Sequence, residues 1–100
     1  MNQTETATVT TILFRFTGED RPGLTASLSD HLAHFGCRVL DVNQAVIHRS
    51  LLLGLMVSVP DEVAPDTVID ALRQRASELE LKCKHTPIAD AAYDVWIGEE

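Results

Sequence analysis

The sequence predicts an α+β domain: a four-stranded antiparallel sheet with two helices on one face. Three observations predict it. Stretches of alternating polarity and stretches of helical spacing follow one another in the order β-α-β-β-α-β. Each is bounded by Gly, Pro or a polar cluster. The whole spans only 100 residues, the size of one core.

The first strand, β1 (residues 9–17), puts Ile12, Phe14 and Phe16 on one face and Val9, Leu13 and Arg15 on the other. Gly18-Glu19-Asp20-Arg21 breaks that alternation, and Pro22 suits a first helical position because its φ is pre-set and its missing N–H would find no partner there. Leu24, Leu28, Leu32 and Phe35 then recur on one face of a helix, α1 (about 22–35), with Gly36 placed for a left-handed cap. The second strand, β2 (38–47), offers two inward sets: Val39, Asp41, Asn43, Ala45 and Ile47, or Leu40, Val42, Gln44 and Val46. The second is more apolar and is the one expected inside. His48-Arg49-Ser50 connects it to β3 (51–59), whose nearly unbroken apolar run belongs in the middle of a sheet.

After the breaker cluster Pro60, Asp61, Glu62 and Pro65, the residues Val68, Leu72, Ala76 and Leu79 mark α2 (about 65–80). The last strand, β4 (81–86), sets Leu81, Cys83 and His85 against Lys82 and Lys84. Those lysines and Pro87 would blunt an exposed edge. Split βαβ units with right-handed crossovers give the ferredoxin-like plan, with β1 and β3 central. β2 then lies at an edge that carries no lysine, where another chain could pair.

Composition narrows the function. Eight Lys and Arg against 15 Asp and Glu give a net charge of -7, which repels a polyanion over most of the surface, so nucleic acid is not an expected partner. No apolar run approaches the ~20 residues of a membrane span, and residues 1–10 carry no basic-then-apolar leader pattern, so a cytoplasmic protein is expected. Cys37 and Cys83 are 46 positions apart and form no metal or redox motif, so both are read as packed thiols. His31 and His34, three apart on α1, lack a second ligand cluster and are read as surface or half-buried groups rather than zinc ligands.

One junction has chemical potential. Gly18-Glu19-Asp20-Arg21-Pro22-Gly23-Leu24-Thr25 joins a strand end to a helix start, where unpaired backbone N–H groups attract an anion. Gly23 allows close approach, and Asp20 either caps the helix or accepts a bond from an ammonium group. A small zwitterion offers both charges; the plainer alternative is an ordinary strand-turn-helix connection.

The run Asp20-Arg21-Pro22-Gly23-Leu24, followed by Gly36 and the strand Val39 to Ile47, resembles an ACT domain, a small-molecule regulatory module of amino-acid metabolism. Phe16-Thr17-Gly18, Asp41 to Ile47 and Leu53-Gly54-Leu55 are similar to the first ACT domain of bacterial phosphoserine phosphatases, which catalyse the last step of serine biosynthesis. The resemblance spans residues 9–87, after a flexible start at 1–8. The tail 88–100, with Tyr93 and Trp96, looks like that family's exit toward a further domain.

The resemblance implies pairing with another ACT domain, as a homodimer or within one longer chain, and an amino acid, L-serine, bound at the interface. Gly18, Asp20, Arg21, Pro22, Gly23 and Leu24 would form one wall, and Asn43 and Gln44 would face it from the second strand of another copy. A bulky residue at Gly18 or Gly23 is expected to abolish binding and leave the domain folded. The family's phosphatase chemistry uses an Asp-Xaa-Asp motif and Mg in a separate domain. No Asp-Xaa-Asp occurs here, so neither catalysis nor a cofactor is expected of this chain. The alternatives are a ligand-independent dimerisation module, a free-standing ACT protein and, through Arg15 and Arg21, an acylphosphatase-like enzyme.

Overall fold

The computed structural model describes residues 10–88. It contains β1 (Thr10–Glu19), α1 (Leu24–His34), β2 (Arg38–Ile47), β3 (Ser50–Val59), α2 (Pro65–Glu78) and β4 (Lys82–Ile88). The strands form one antiparallel sheet in the order β2-β3-β1-β4, so the ferredoxin-like plan holds and the two apolar strands are central. The expected flexible start at 1–8 and the tail beyond Ile88 lie outside the described residues.

The core follows from two periodicities. Alternate residues of β1 (Ile12, Phe14, Phe16) and β3 (Leu51, Leu53, Leu55, Val57, Val59) are buried beneath Leu24, Leu28 and Leu32 of α1 and Val68, Leu72 and Ala76 of α2. Each large apolar side chain removed from water contributes about 1.5–3 kcal/mol before chain entropy offsets it. Two rings, Phe14 and Phe16, sit with centroids 6.2 Å apart.

The helix ends are specified locally. Gly36, at φ 75°, ends α1: its N–H donates to Ala33 O at 2.9 Å and the Cys37 N–H to Leu32 O at 3.1 Å, the paired bonds of a Schellman cap. Pro65 occupies the first turn of α2, where its missing N–H costs nothing. Pro22 does not do the same for α1. It belongs to a turn, Gly23 at φ 86° and ψ 0° is the N-cap, and the helix begins at Leu24. Those angles fit the third position of a type II turn, with Pro22 second.

β2 departs most from expectation. By register Val42, Gln44 and Val46 do share the helix-covered face, opposite Leu55, Leu53 and Leu51. They are nevertheless exposed, Val42 at 49% and Val46 at 48%, because α1 touches this edge strand, as at Thr25 and Gln44, without covering it. Leu40 drops out of the set altogether. It is the extra residue of a bulge between Val39 and Asp41, and half-buried Val39 packs on the core instead.

Candidate functional site

The turn between β1 and α1 forms one wall of a cavity of about 420 Å³, lined by Asp20 through Ala26 and closed on the β2 side by Gln44. Tertiary contacts hold the wall at both ends. The Asp20 N–H donates to Arg49 O at 2.7 Å, tying the loop to the β2–β3 hairpin. That hairpin turns on His48 and Arg49 at φ 58° and 112°, a left-handed pair that non-glycine residues adopt with strain of about 1–3 kcal/mol each. At the other end the Arg21 guanidinium donates to Leu79 O, at the carboxyl end of α2, where a cation meets the negative pole of the helix.

The amino end of α1 is left open. It has no side-chain cap and no acidic residue in its first turn, so the N–H groups that an α-helix leaves unpaired and the positive pole face the cavity uncompensated. Asp20 lines the cavity without capping the helix, which removes one of its two expected roles. Thr25, half-buried in that turn, donates its hydroxyl to Gln44 Oε1 at 3.1 Å and so joins the helix start to β2. The arrangement offers amides and a helix pole for an anion beside a carboxylate for a cation. It contains no thiol, imidazole or amine for covalent chemistry.

Not every expected residue converges there. Asp20, Arg21, Pro22, Gly23 and Leu24 do, with Leu24 also buried in the core, and Gln44 joins them from the same chain's β2 rather than from another copy. Asn43 points the other way: it is opposite Gly54 on the helix-free face of the sheet and lines a separate hollow. Gly18 lies within β1, opposite Leu51, and is a packing position. A Cβ there would come within 2.6 Å of Leu81 Cδ2 and 3.1 Å of Glu80 O, so a bulky residue must push these neighbours aside and costs stability as well as any effect on binding. Gly23 has open space around its missing Cβ, and only its left-handed φ demands glycine.

Thr25 and the Arg49 carbonyl were not singled out from the sequence. Thr25 had a signal, its place in the first turn of the helix that follows Pro-Gly; Arg49 and Leu79 act through carbonyls and had none. His31 and His34 each meet Phe35 edge-on, with centroids 5.6 and 5.5 Å away. Burial, then the charges of Arg75 and His34, lowers the His31 pKa from the usual 6.5. Both thiols are free, and burial pushes each up, with Arg73 partly opposing it at Cys83. Among the described residues no three His, Cys, Asp or Glu side chains gather as a metal site would require, and no helix is long and apolar enough to cross a membrane.

Comparison with known proteins identifies the fold. The ACT domain family model matches residues 10–86. Phosphoserine phosphatase SerB2 of Mycobacterium tuberculosis is 43% identical over 58 residues, which is 58% of this chain and 14% of that enzyme. The phosphoserine phosphatase of Streptomyces coelicolor is 38% identical over 60 residues, 60% of this chain and 15% of the enzyme. The chain thus matches only about one seventh of the length of these curated relatives. Among solved structures, an ACT domain protein from Streptococcus pneumoniae superposes with a TM-score of 0.67 at 20% identity, covering 78% of this chain and 89% of that one. The regulatory subunit of aspartate kinase from Thermus thermophilus gives 0.62 at 20% identity, covering 78% and 50%. A family match across nearly all described residues places this chain in the ACT domain family.

Proposed function

We propose that this chain is a regulatory module that binds a small amino acid, L-serine, in the cavity between the Asp20–Ala26 turn and Gln44, and that two ACT domains pair along β2 to complete the site. The observation that carries the reading is the cavity itself: an uncapped helix start and a carboxylate flank one space, and Thr25 ties that wall to Gln44 of the chain's own β2. An amino acid's carboxylate suits the helix pole and amides, and its ammonium suits Asp20. β2 supports the pairing, since Leu40, Val42, Val46 and Ile47 leave 48–60% of their surfaces exposed along an edge without lysine.

Ligand that bridges two copies stabilises the pair by its differential affinity, and pairing in turn raises ligand affinity by the same factor. The relatives suggest the setting: a phosphoserine phosphatase in which a chain like this one senses the pathway product and reports to a catalytic domain located elsewhere. Isothermal titration of the whole chain with L-serine, against glycine, L-alanine and D-serine, tests the reading. Saturable heat selective for L-serine supports it; a folded chain that gives no heat with any of the four overturns it. The exposed β2 edge also favours a second reading, a dimerisation module without ligand. That reading predicts a sedimentation coefficient that rises with concentration and ignores amino acids.

A further inference from the structure

The helices cover one face of the sheet, and the other face has an unusual charge pattern. Register places Lys84, Arg15, Gly54 and Asn43 in one row across the four strands, with Lys82, Thr17, Leu52 and Ala45 in the next. Gly54 has no side chain to fill its place. A hollow of about 420 Å³ results, walled by Leu13, Leu52 and Ala45 and edged by Arg15 and Asn43.

Arg15 and Lys84 are direct cross-strand neighbours, a like-charge pairing that destabilises a sheet unless an anion lies over it. Neither they nor Lys82 has a hydrogen-bond or ion-pair partner among the described residues. Three of the eight basic residues of a chain with net charge -7 thus gather beside an apolar hollow with no partner among the described residues.

The residues after β4 have the complementary composition. Residues 89–100 contain four acids (Asp90, Asp94, Glu99, Glu100), no base, and the apolar side chains Tyr93, Val95, Trp96 and Ile97. Their starting point is suitable. β4 ends at Ile88, opposite Thr11, and Arg15 lies four residues farther along β1, or ~14 Å. Five residues bring the chain from Ile88 to Tyr93, up to ~17 Å, and eight bring it to Trp96, up to ~27 Å.

We propose that the helix-free face of the sheet is a docking surface for the chain's own segment 89–100, with its carboxylates against Arg15, Lys82 and Lys84 and its aromatic side chains over the hollow at Gly54. Apolar contact and neutralisation of the Arg15–Lys84 repulsion would act together, and this face is separate from the cavity at Gln44.

Trp96 is the only tryptophan, so its fluorescence reports on this segment alone. Emission and acrylamide quenching of the whole chain are compared with those of a synthetic peptide of residues 89–100. The docked segment gives a blue-shifted, less quenchable Trp96. The double reversal Arg15→Glu with Lys84→Glu moves both readings to the peptide's values at unchanged far-UV circular dichroism, and adding Asp90→Lys with Asp94→Lys restores them. Should the double reversal fail to fold, Lys84→Glu alone, at an exposed edge position, carries the same reading. Emission identical to that of the peptide overturns the proposal, as does a blue shift that charge reversal leaves untouched. A blue shift that grows with protein concentration overturns it in favour of a second copy.

Discussion

Gly18 gives the sharpest test of how the first loop is held. Replacing it with Ala adds one carbon 2.6 Å from Leu81 Cδ2 and 3.1 Å from Glu80 O, where ordinary carbon contacts lie at about 3.5–4.0 Å. The neighbours have little freedom to retreat. Leu81 is 6% exposed and its N–H is bonded to Ala76 O at 2.7 Å, while Glu80 already holds a left-handed φ of 62°. An overlap of this kind costs about 1–3 kcal/mol, or ~4–8 °C of melting temperature per kcal/mol in a domain of this size. Leu81→Ala alone removes buried methyl groups and costs about 2–5 kcal/mol. In the double variant the new methyl occupies space that Leu81 has vacated, so the combined loss falls short of the sum by about 1–2 kcal/mol. Urea unfolding of the four proteins measures the coupling. A Gly18→Ala variant within about 0.5 kcal/mol of the parent, or strictly additive losses, would refute the packing role.

Gly23→Ala meets no atom within 4 Å and strains only the φ of 86°, so thermal unfolding should show a loss of about 1–2 kcal/mol; an unchanged melt would mean the turn relaxes freely. Val46→Lys, at a 48% exposed edge position, should leave stability within about 0.5 kcal/mol and remove pairing along β2, so a dimer that persists in sedimentation counts against that interface. His31 has a pKa below its usual 6.5 because burial, then Arg75 and His34, disfavour its charged form. The unfolded chain therefore takes up the proton first, and the His31 contribution is complete above pH 6.5 and lost as pH falls through the lower folded value. Denaturant midpoints measured from pH 7 to pH 5 should fall less steeply in His31→Gln, and parallel profiles would exclude this contribution.

The fold was legible because its signals are local. Alternation at Ile12, Phe14 and Phe16, helical spacing at Leu24, Leu28 and Leu32, and the cap at Gly36 each depend on neighbours a few residues away, and the structure reproduces them. The turn that lines the candidate site was legible for the same reason. β2 shows where local signals stop: alternation indicates which side chains share a face, and whether a helix covers that face depends on how far α1 and α2 reach across the sheet. A bulge at Leu40 then shifts the phase, and no spacing in the sequence announces it.

The features that only the tertiary structure decided all join distant residues. Arg21 finds the Leu79 carbonyl 58 positions away, Thr25 finds Gln44 19 positions away, and Gly18 meets Leu81. The row of Arg15 and Lys84 exists only once β1 and β4 are in register. The sequence alone determined which segments are strands and helices and which faces are apolar, since period and capping are properties of consecutive residues. Which polar groups meet, which apolar edges stay bare and which charges remain unpaired were decided by packing, because those outcomes depend on distances that the chain acquires only when folded.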